Sequence, residues 1–179
     1  MRVSAQRVGV VGRVDVLRSI LAVANGWPFE ARVYKGGSTR SRWASDVLAR
    51  APAADRYEVA PDLNGTLSRE DEPSELLAIV RMPEDTLERI RVAADLLVVV
   101  VDRPGNPGSL GTLIRSCDAF GVSGMIVSGH GVDVYDPATD TASRGSLFAL
   151  PVVRVRSHED TLRWIGAVRS EREPPEDLR

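Results

Sequence analysis

The sequence predicts an α/β fold, and three observations support this prediction. Short apolar segments typical of strands alternate along the chain with segments whose apolar residues have helical spacing. The run from Leu96 to Val101 is apolar at every position, as expected for a central strand of a parallel sheet. This run continues through a loop rich in glycine and proline into an amphipathic helix, which is the element order of α/β proteins.

Residues 1–82 are predicted to form a small α/β unit. A first helix is indicated by apolar residues at helical spacing up to Ala24, followed by the stop signal Asn25-Gly26. The third helix begins with Pro61, a residue favoured in the first turn of a helix. Alternating apolar residues indicate the strands. The expected helices lie at 14–24, 42–51 and 61–67, and the expected strands at 29–34, 57–60 and 76–81.

Residues 83–95 are predicted to be a linker with a short helical piece, and residues 96–179 to form a second unit. Continuous apolar runs indicate its strands, at 96–101, 124–128 and 152–155. A helical turn is expected at 137–143, and the charged tail from Glu171 onward is expected to fray.

The two long helices of this second unit have apolar residues at helical spacing. The helix over 109–120 is expected to bury Leu110, Leu113, Ile114 and Cys117. Ser157 and Asp160 resemble a capping box that opens the last helix. The apolar side of that helix is expected to consist of Leu162, Ile165 and Val168.

The composition is that of an ordinary globular protein, with 43% hydrophobic and 27% charged residues among 179. No apolar run approaches the roughly 20 residues that a membrane-spanning helix needs, and the N-terminus has no signal-peptide core. The single cysteine, Cys117, excludes a disulfide framework and a multi-cysteine zinc site. We therefore expect a cytoplasmic protein with no metal site and no membrane association.

The net charge of −2 hides an asymmetry along the chain. Residues 1–56 carry nine Arg, one Lys and four acidic residues, a net charge of +6, whereas residues 57–90 have a net charge of −6. A basic leading segment attracts polyanions such as RNA. The other interpretation, a solvated basic face without a partner, is typical of many proteins.

The stretch that follows the apolar run, from Asp102 to Gly121, contains the chemistry-bearing residues. A buried strand that ends in a glycine-rich turn and a helix N-terminus is where α/β proteins bind phosphates and nucleotides. The spacing matches neither GxGxxG nor the P-loop pattern, which argues against plain nucleotide binding. The Asn106 amide can both donate and accept hydrogen bonds, and Arg115 lies nine residues later on the polar side of the helix. An ordinary surface arginine would give the same pattern as Arg115.

Two segments of the chain together resemble the SpoU/TrmH branch of the SPOUT RNA methyltransferases. The family's first motif has an Asn, a glycine-containing loop, an Arg nine residues after the Asn, and a Gly. These positions are matched here by Asn106, Gly108, Gly111, Arg115 and Gly121. The family's downstream pattern is roughly D-x-Y-x-P followed by A-S-x-G-S-L-F-x-L-P-V. It is matched by Asp133, Tyr135, Pro137, Ala142, Ser143, Gly145, Ser146, Leu147, Phe148, Leu150, Pro151 and Val152.

The resemblance implies two domains. Residues 1–82 are similar to the family's small ribosomal-protein-like α/β domain, which binds the RNA substrate. After the linker at 83–95, residues 96–179 are similar to the N-terminal part of the SPOUT methyltransferase domain, which has a parallel sheet and a trefoil knot. The partners that the resemblance implies are rRNA or tRNA.

The reaction that the resemblance implies is methyl transfer from S-adenosylmethionine to a ribose 2′-hydroxyl of RNA, with Arg115 as the catalytic arginine. A guanidinium is a poor base at its ordinary pKa, so we expect Arg115 to orient the 2′-hydroxyl and stabilise its developing negative charge. The proton then goes to phosphate or water. Asn106 is expected to fix the loop and the ribose. Arg40, Arg42 and Arg144 are further candidates for RNA-phosphate contacts, and each is also consistent with a plain surface residue.

Two further family motifs, a strand followed by N-E-x-x-G and a late strand with S-L-N-V-S, have no counterpart in this sequence. In the family, these segments supply most of the cofactor pocket, the knot and much of the homodimer interface. We therefore expect an incomplete, C-terminally truncated SPOUT domain with an open apolar edge. No cofactor-binding residue is assigned, and we expect the chain alone not to bind S-adenosylmethionine. A homodimer is expected if the domain were complete.

Two other functions remain open at this point. In the first, the chain is a non-catalytic RNA-binding remnant or fragment that uses residues 1–82, and RNA binding without cofactor binding would favour it. In the second, it is a subunit whose open sheet edge pairs with another chain that supplies the missing elements. A monomeric chain would count against this second alternative.

Overall fold

The computed structural model describes residues 8–11, 21–37, 41–50, 55–68 and 75–172. It confirms the predicted α/β class, with helices between strands throughout. The chain divides into two compact units. The first comprises Met1–Pro83 together with Ser143–Ala149, and the second comprises Glu84–Ala142 and Leu150–Arg179.

The first unit is built on a four-stranded mixed sheet. Its strands are β1 (Val8–Val11), β2 (Phe29–Lys35), β3 (Asp55–Val59) and β4 (Leu76–Arg81), in the spatial order β1-β4-β2-β3. β2 is parallel to β3 and antiparallel to β4, and β1 is antiparallel to β4. The described helical segments of this unit are α1 (21–24), α2 (Arg42–Arg50), α3 (Pro61–Ser68) and the single turn α6 (Ser146–Ala149).

Most of the elements predicted for this unit are present, with small shifts at their ends. β4 has the predicted bounds, and β3 begins two residues earlier than expected. The strand β1 and the helical turn α6 were not predicted. Residues 14–20 of the first predicted helix, and residues 69–74 of the acidic loop, lie outside the described residues.

The core of the first unit includes a contribution from late in the chain. Ala78 and Val80 of β4 are buried against Ala22 and Phe148. The Trp27 indole lies edge-on to the Phe148 ring, with centroids 4.9 Å apart. The Trp27 Nε1–H also donates a hydrogen bond to the Phe148 carbonyl oxygen at 3.1 Å. Segment 143–149, which sequence reasoning placed in the later domain, therefore contributes to the core of the first unit.

The second unit is built on a three-stranded parallel sheet in the order β5-β6-β7. β6 (Gly124–Ser128) and β7 (Val152–Val155) have the predicted bounds, and β5 (Val98–Asp102) begins two residues later than predicted. The helices are α4 (Pro107–Ala119), α5 (Pro137–Ser143) and α7 (His158–Arg172), and a short 3-10 helix spans Leu87–Arg89. Residues 173–179 of the predicted charged tail are not among those described.

The expected orientation of α7 was wrong. Leu162 and Ile165 are 62% and 44% exposed, whereas Val168 is buried as expected. The buried side of the helix is instead formed by Thr161, Trp164 and Val168, and Trp164 packs against the cluster around Ile126 of β6. The larger side chain of Trp164 explains the difference, because burying it removes more apolar area from water than burying Leu162 would.

Candidate functional site

The carboxyl ends of β5 and β6 are joined by hydrogen bonds. The buried Ser128 hydroxyl donates to Asp102 Oδ1 at 2.8 Å, and the Arg103 backbone N–H donates to the Ser128 carbonyl oxygen at 2.9 Å. The Val132 N–H donates to the Pro104 carbonyl oxygen at 2.9 Å. The bond from Ser128, with help from Arg103, lowers the pKa of Asp102, so its carboxylate is ionised at neutral pH. The loops after the two strands therefore form one connected surface.

Asn106 sits at the start of α4 and caps it. Its backbone is extended, and its side-chain Oδ1 accepts a hydrogen bond from the Ser109 N–H at 2.8 Å. Pro107 occupies the first turn, where its missing N–H costs nothing. This cap satisfies one of the free N–H groups of the helix and fixes the point where the loop turns into α4.

A groove of about 640 Å³ runs beside the outer face of α4. Its helix side carries four residues with polar side chains, and α5 completes the lining. The residues that line it are Asn106, Gly108, Ser109, Thr112, Leu113, Ser116 and Ala142. The expectation that Leu113 is buried was wrong, because it is 36% exposed and contributes to the groove. The other three expected core residues of α4 are buried.

Arg115 is exposed on α4 and does not line the groove. The helical repeat places it roughly 120° around the axis from Ser109 and roughly 100° from Ser116. The separation of nine positions from Asn106 to Arg115 corresponds to about 13 Å along the helix axis. None of the ion pairs between described residues involves Arg115, so its guanidinium is available to a bound molecule.

The loop before α5, which carries the D-x-Y-x-P pattern, is held by an ion-pair network. Arg154 of β7 contacts Asp85 with Nη2 at 2.7 Å and with Nε at 2.9 Å. Arg154 Nη1 also reaches Asp133 Oδ1 at 3.2 Å. Burial by itself would lower the pKa of Arg154, but Asp85, Tyr135 and Asp133 together raise it. Arg154 therefore joins three segments that are far apart in the sequence, and no spacing signal could have predicted this.

Tyr135 lies beside this network. The Arg154 guanidinium is 5.0 Å from the centroid of the Tyr135 ring, within the range of a cation–π contact. Burial raises the pKa of Tyr135, so its hydroxyl stays protonated at neutral pH. Arg89, from the segment predicted to be a linker, donates to the Val152 carbonyl oxygen at 2.9 Å. The segment around Asp85 and Arg89 is thus fixed to β7 within the second unit.

The site residues that the sequence predicted are distributed over both units. Asn106 and Arg115 belong to the second unit, whereas Arg42 and Arg144 belong to the first. Arg42 is the exposed first residue of α2, and Arg144 is exposed and has a left-handed backbone with φ 54°. Arg40 lies outside the described residues.

The first unit has a groove of its own, of about 530 Å³, where the parallel strands β2 and β3 end. It is lined by Lys35, Gly36, Gly37, Glu58, Val59, Ala60 and Pro61. Lys35 is the one lysine of the chain, and the loop that leaves this groove leads toward Arg40 and Arg42. Sequence reasoning did not identify this groove, since its lining residues come from two strand ends with no shared pattern.

Two further properties limit what the described residues can do. They contain no group of three His, Cys, Asp or Glu side chains that could hold a metal ion. No helix among them is long and apolar enough to cross a membrane.

The chain matches two family models. Residues 96–169 match the SpoU rRNA Methylase family, and residues 4–78 match the SpoU L30e-like domain. These two matches cover most of the chain, which belongs to the SpoU methylase family.

Several characterised proteins are similar to this chain. It is 46% identical over 151 residues to a 23S rRNA (uridine(2479)-2′-O)-methyltransferase of Streptomyces viridochromogenes, covering 84% of this chain and 52% of that protein. It is 30% identical over 112 residues to the 23S rRNA (guanosine(2553)-2′-O)-methyltransferase RlmP of Bacillus subtilis, covering 62% and 43% of the two chains. The chain therefore spans about half the length of the curated relatives that it matches.

Solved structures show the same fold. The SpoU methyltransferase AviRb of Streptomyces viridochromogenes, crystallised with AdoMet, superposes with a TM-score of 0.84 at 42% identity, over 93% of this chain and 63% of that one. An AdoMet-bound rRNA methyltransferase from Sinorhizobium meliloti gives a TM-score of 0.75 at 30% identity, over 90% and 59% of the two chains. The resemblance to the SpoU family that the sequence motifs indicated is thus confirmed.

The groove along α4 fits only part of S-adenosylmethionine, the methyl donor of this family. The Asn106 amide and the hydroxyls of Ser109, Thr112 and Ser116 can meet polar groups. Leu113 and Ala142 supply apolar surface beside these polar groups. The residues of this groove would therefore hold part of the cofactor, which supplies the methyl group when bound.

Proposed function

We propose that this chain handles the RNA substrate in the ribose 2′-O-methylation of 23S rRNA. The observation that carries this proposal is the exposure of Arg115, which has no ion pair with any described residue. Its helix is capped by Asn106 and begins at a pair of cross-linked loops. The similarity to two enzymes that are named for 2′-O-methylation of 23S rRNA supports the choice of rRNA over tRNA.

Arg115 is proposed to act on the reacting ribose and its neighbouring phosphate. A 2′-hydroxyl is a weak nucleophile, and a fixed cation stabilises the negative charge that develops on its oxygen. A guanidinium is suited to this role because it stays protonated and can contact hydroxyl and phosphate oxygens together. The proton of the hydroxyl passes to phosphate or water rather than to Arg115.

Asn106 is proposed to act mainly on the loop and the start of α4. Its Oδ1 is already occupied by the Ser109 N–H, so the side-chain NH₂ is the group that can reach a ribose or phosphate oxygen. The axial separation of about 13 Å means that Asn106 and Arg115 contact different parts of the bound strand.

The first unit is proposed to bind RNA outside the reacting nucleotide. We propose a substrate-binding domain over 1–82 and the methyltransferase portion over 96–179, with the predicted linker over 83–95 held within the second unit from Glu84 onward. Arg40, Arg42 and Arg144 are the proposed phosphate contacts of the first unit. The similarity to an L30e-like domain and the net charge of +6 over residues 1–56 support this assignment.

A cytoplasmic location completes the proposal, together with a homodimer if the SPOUT domain is complete. Ribosomal RNA as the substrate favours the compartment in which ribosomes are made. Light scattering during size-exclusion chromatography of a chain with a complete SPOUT domain tests the second point, and a monomer at micromolar concentration would contradict it.

Methyl transfer to 23S rRNA tests the proposed reaction. The purified chain is incubated with deproteinised 23S rRNA and methyl-labelled S-adenosylmethionine, and 2′-O-methyl groups are mapped by primer extension. If the wild-type chain transfers methyl groups, which would overturn the expectation that it does not bind S-adenosylmethionine alone, Arg115→Ala should reduce transfer about 100-fold or more, because an oriented cation is lost at the reacting oxygen. Binding of 23S rRNA should change by less than about threefold, since one of several phosphate contacts is lost.

The matched control is Arg163→Gln, which removes an exposed arginine of α7 that pairs with Asp160. It should leave both measurements unchanged. Selective binding of 23S rRNA without any methyl transfer by the wild-type chain would contradict the enzymatic proposal and favour the RNA-binding alternative. Equal transfer by Arg115→Ala and the wild type would remove Arg115 from its proposed role.

A further inference from the structure

Arg103, directly after β5, has an unusual backbone for an arginine. Its φ angle is 46°, in the left-handed region that side chains other than glycine seldom adopt. The conformation is fixed by the surrounding structure, because the Arg103 N–H donates to the Ser128 carbonyl oxygen at 2.9 Å. Such positions persist where neighbouring contacts determine them, and they are concentrated at functional sites.

The Arg103 side chain is anchored at one end and exposed at the other. Its Nε donates to Asp102 Oδ2 at 2.9 Å, while the second oxygen of that carboxylate accepts the buried Ser128 hydroxyl at 2.8 Å. The side chain is nonetheless 71% exposed. A guanidinium held through Nε keeps its two Nη groups for a bidentate contact with a planar or tetrahedral oxyanion.

Gly129, directly after β6, leaves room for the stem of this side chain. A Cβ atom at Gly129 would lie 2.7 Å from Arg103 Cγ, closer than real Cβ contacts allow. The Arg103 stem therefore lies over Gly129, at the carboxyl ends of both strands, and its Nε is held by Asp102.

Arg103 also lies where a ligand is expected in a sheet of this kind. In open α/β sheets, ligands bind outside the carboxyl ends of the strands. The loop that starts at Arg103 leads within three residues to Asn106, the cap of α4. We propose that Arg103 binds a backbone phosphate of the RNA strand near Asn106, and that Asp102 is its positioning residue. This inference rests on the proposed function.

The test measures the affinity of the full chain for deproteinised 23S rRNA over a range of salt concentrations. We expect Arg103→Gln to weaken binding about five- to tenfold and to reduce the salt slope by about one contact. Arg163→Gln, an exposed and paired arginine in the same unit, should change neither. Thermal unfolding of each variant checks that the fold is retained.

Asp102→Ala distinguishes the effect of Asp102 on the position of Arg103 from the effect of its own negative charge. It removes a negative charge, which by simple electrostatics should strengthen RNA binding. We expect Asp102→Ala to bind RNA about two- to threefold more weakly. Without Asp102 the Arg103 guanidinium has no anchor, so its side chain must lose more rotamer freedom on binding. The double variant with Arg103→Gln should bind no more weakly than Arg103→Gln alone.

The outcomes distinguish this inference from the proposed function. If the wild-type chain binds 23S rRNA and Arg103→Gln binds it equally well, the inference fails and the proposed function stands. If the wild-type chain binds no RNA, both fail. If Arg103→Gln leaves RNA binding unchanged but reduces binding in an S-adenosylmethionine titration, Arg103 contacts the methyl donor instead and the inference is overturned.

Discussion

Each unit has a pair of loops where two neighbouring parallel strands end, and the two pairs are held together differently. In the second unit, hydrogen bonds from side chain and backbone join the loops after β5 and β6, and Arg154 holds the loop that follows. In the first unit, the loops after β2 and β3 are joined within the described residues by a backbone hydrogen bond from Gly36 to Val59 at 2.9 Å.

This difference fits the two tasks proposed for the units. A reacting group must be held close to its productive geometry, so the loops that position Arg115 and Arg103 benefit from cross-links made before RNA binds. A surface that follows an RNA backbone gains most of its affinity from charge and tolerates adjustment. We therefore expect the ends of β5 and β6 to stay fixed when RNA binds, and the ends of β2 and β3 to adjust.

The largest effect is expected from removing the cross-link at Arg154. Arg154→Gln leaves the partly buried Asp85 carboxylate without its ion pair and frees Asp133. The free energy of unfolding of the second unit should fall by about 2 kcal/mol, the usual cost of an unsatisfied charged group of this kind. Urea unfolding followed by the Trp164 signal measures it. Arg163→Gln should change it by less than about 0.5 kcal/mol. Equal losses in the two variants would show that the network does not hold the loop.

A matched pair of glycine substitutions compares the two loop pairs directly. A Cβ at Gly131 would lie 2.8 Å from the Pro104 carbonyl oxygen and ring, which are rigid, whereas one at Gly36 would first meet the mobile end of Glu58 at 2.8 Å. Gly131→Ala should therefore cost about 1–2 kcal/mol, and Gly36→Ala less than about 1 kcal/mol. Chemical unfolding with hydrogen exchange assigns each loss to its unit. A larger loss in Gly36→Ala would reverse the comparison.

The smallest expected effect is a pH dependence of the stability lost in Ser128→Ala, which comes from the titration of Asp102. The folded-state pKa of Asp102 is lowered, chiefly by the Ser128 hydroxyl, so this carboxylate stabilises the fold at pH values above its unfolded pKa of about 3.9. That contribution is lost as the pH falls through the lower folded pKa. Ser128→Ala should thus be less stable than the wild type near neutral pH, and the gap should narrow at about pH 3. A gap that stays constant with pH would show that Asp102 does not titrate with this bond.

The sequence predicted the fold of the second unit well because its strands are continuous apolar runs with clear ends. β6, β7 and α5 have the predicted bounds, since β6 begins with Gly124, α5 begins with Pro137, and Pro151 directly precedes β7. Strand β1 was not predicted, because it has four residues and is defined by its pairing with β4. Pairing between distant segments leaves no local signal.

Helix α7 shows the limit of periodicity as a predictor of burial. Leu162, Ile165 and Val168 have helical spacing, but so do Thr161, Trp164 and Val168, and the packing surface around Ile126 decides between the two faces. The same limit applies to the site. Asn106 and Arg115 were identified from a motif, whereas Arg103, Asp102 and Ser128 became visible only when the ends of two strands were placed side by side.

Hydrogen exchange of the chain with and without deproteinised 23S rRNA tests the central claim most directly. If the loops of the second unit are held before RNA binds, the amides of 103 and 132 are already protected in the free chain and change little. The amides of Gly37 and Ala60, which line the groove of the first unit, should gain protection on binding. The reverse result, with 103 and 132 exchanging freely until RNA is added and the first unit unchanged, would contradict the account.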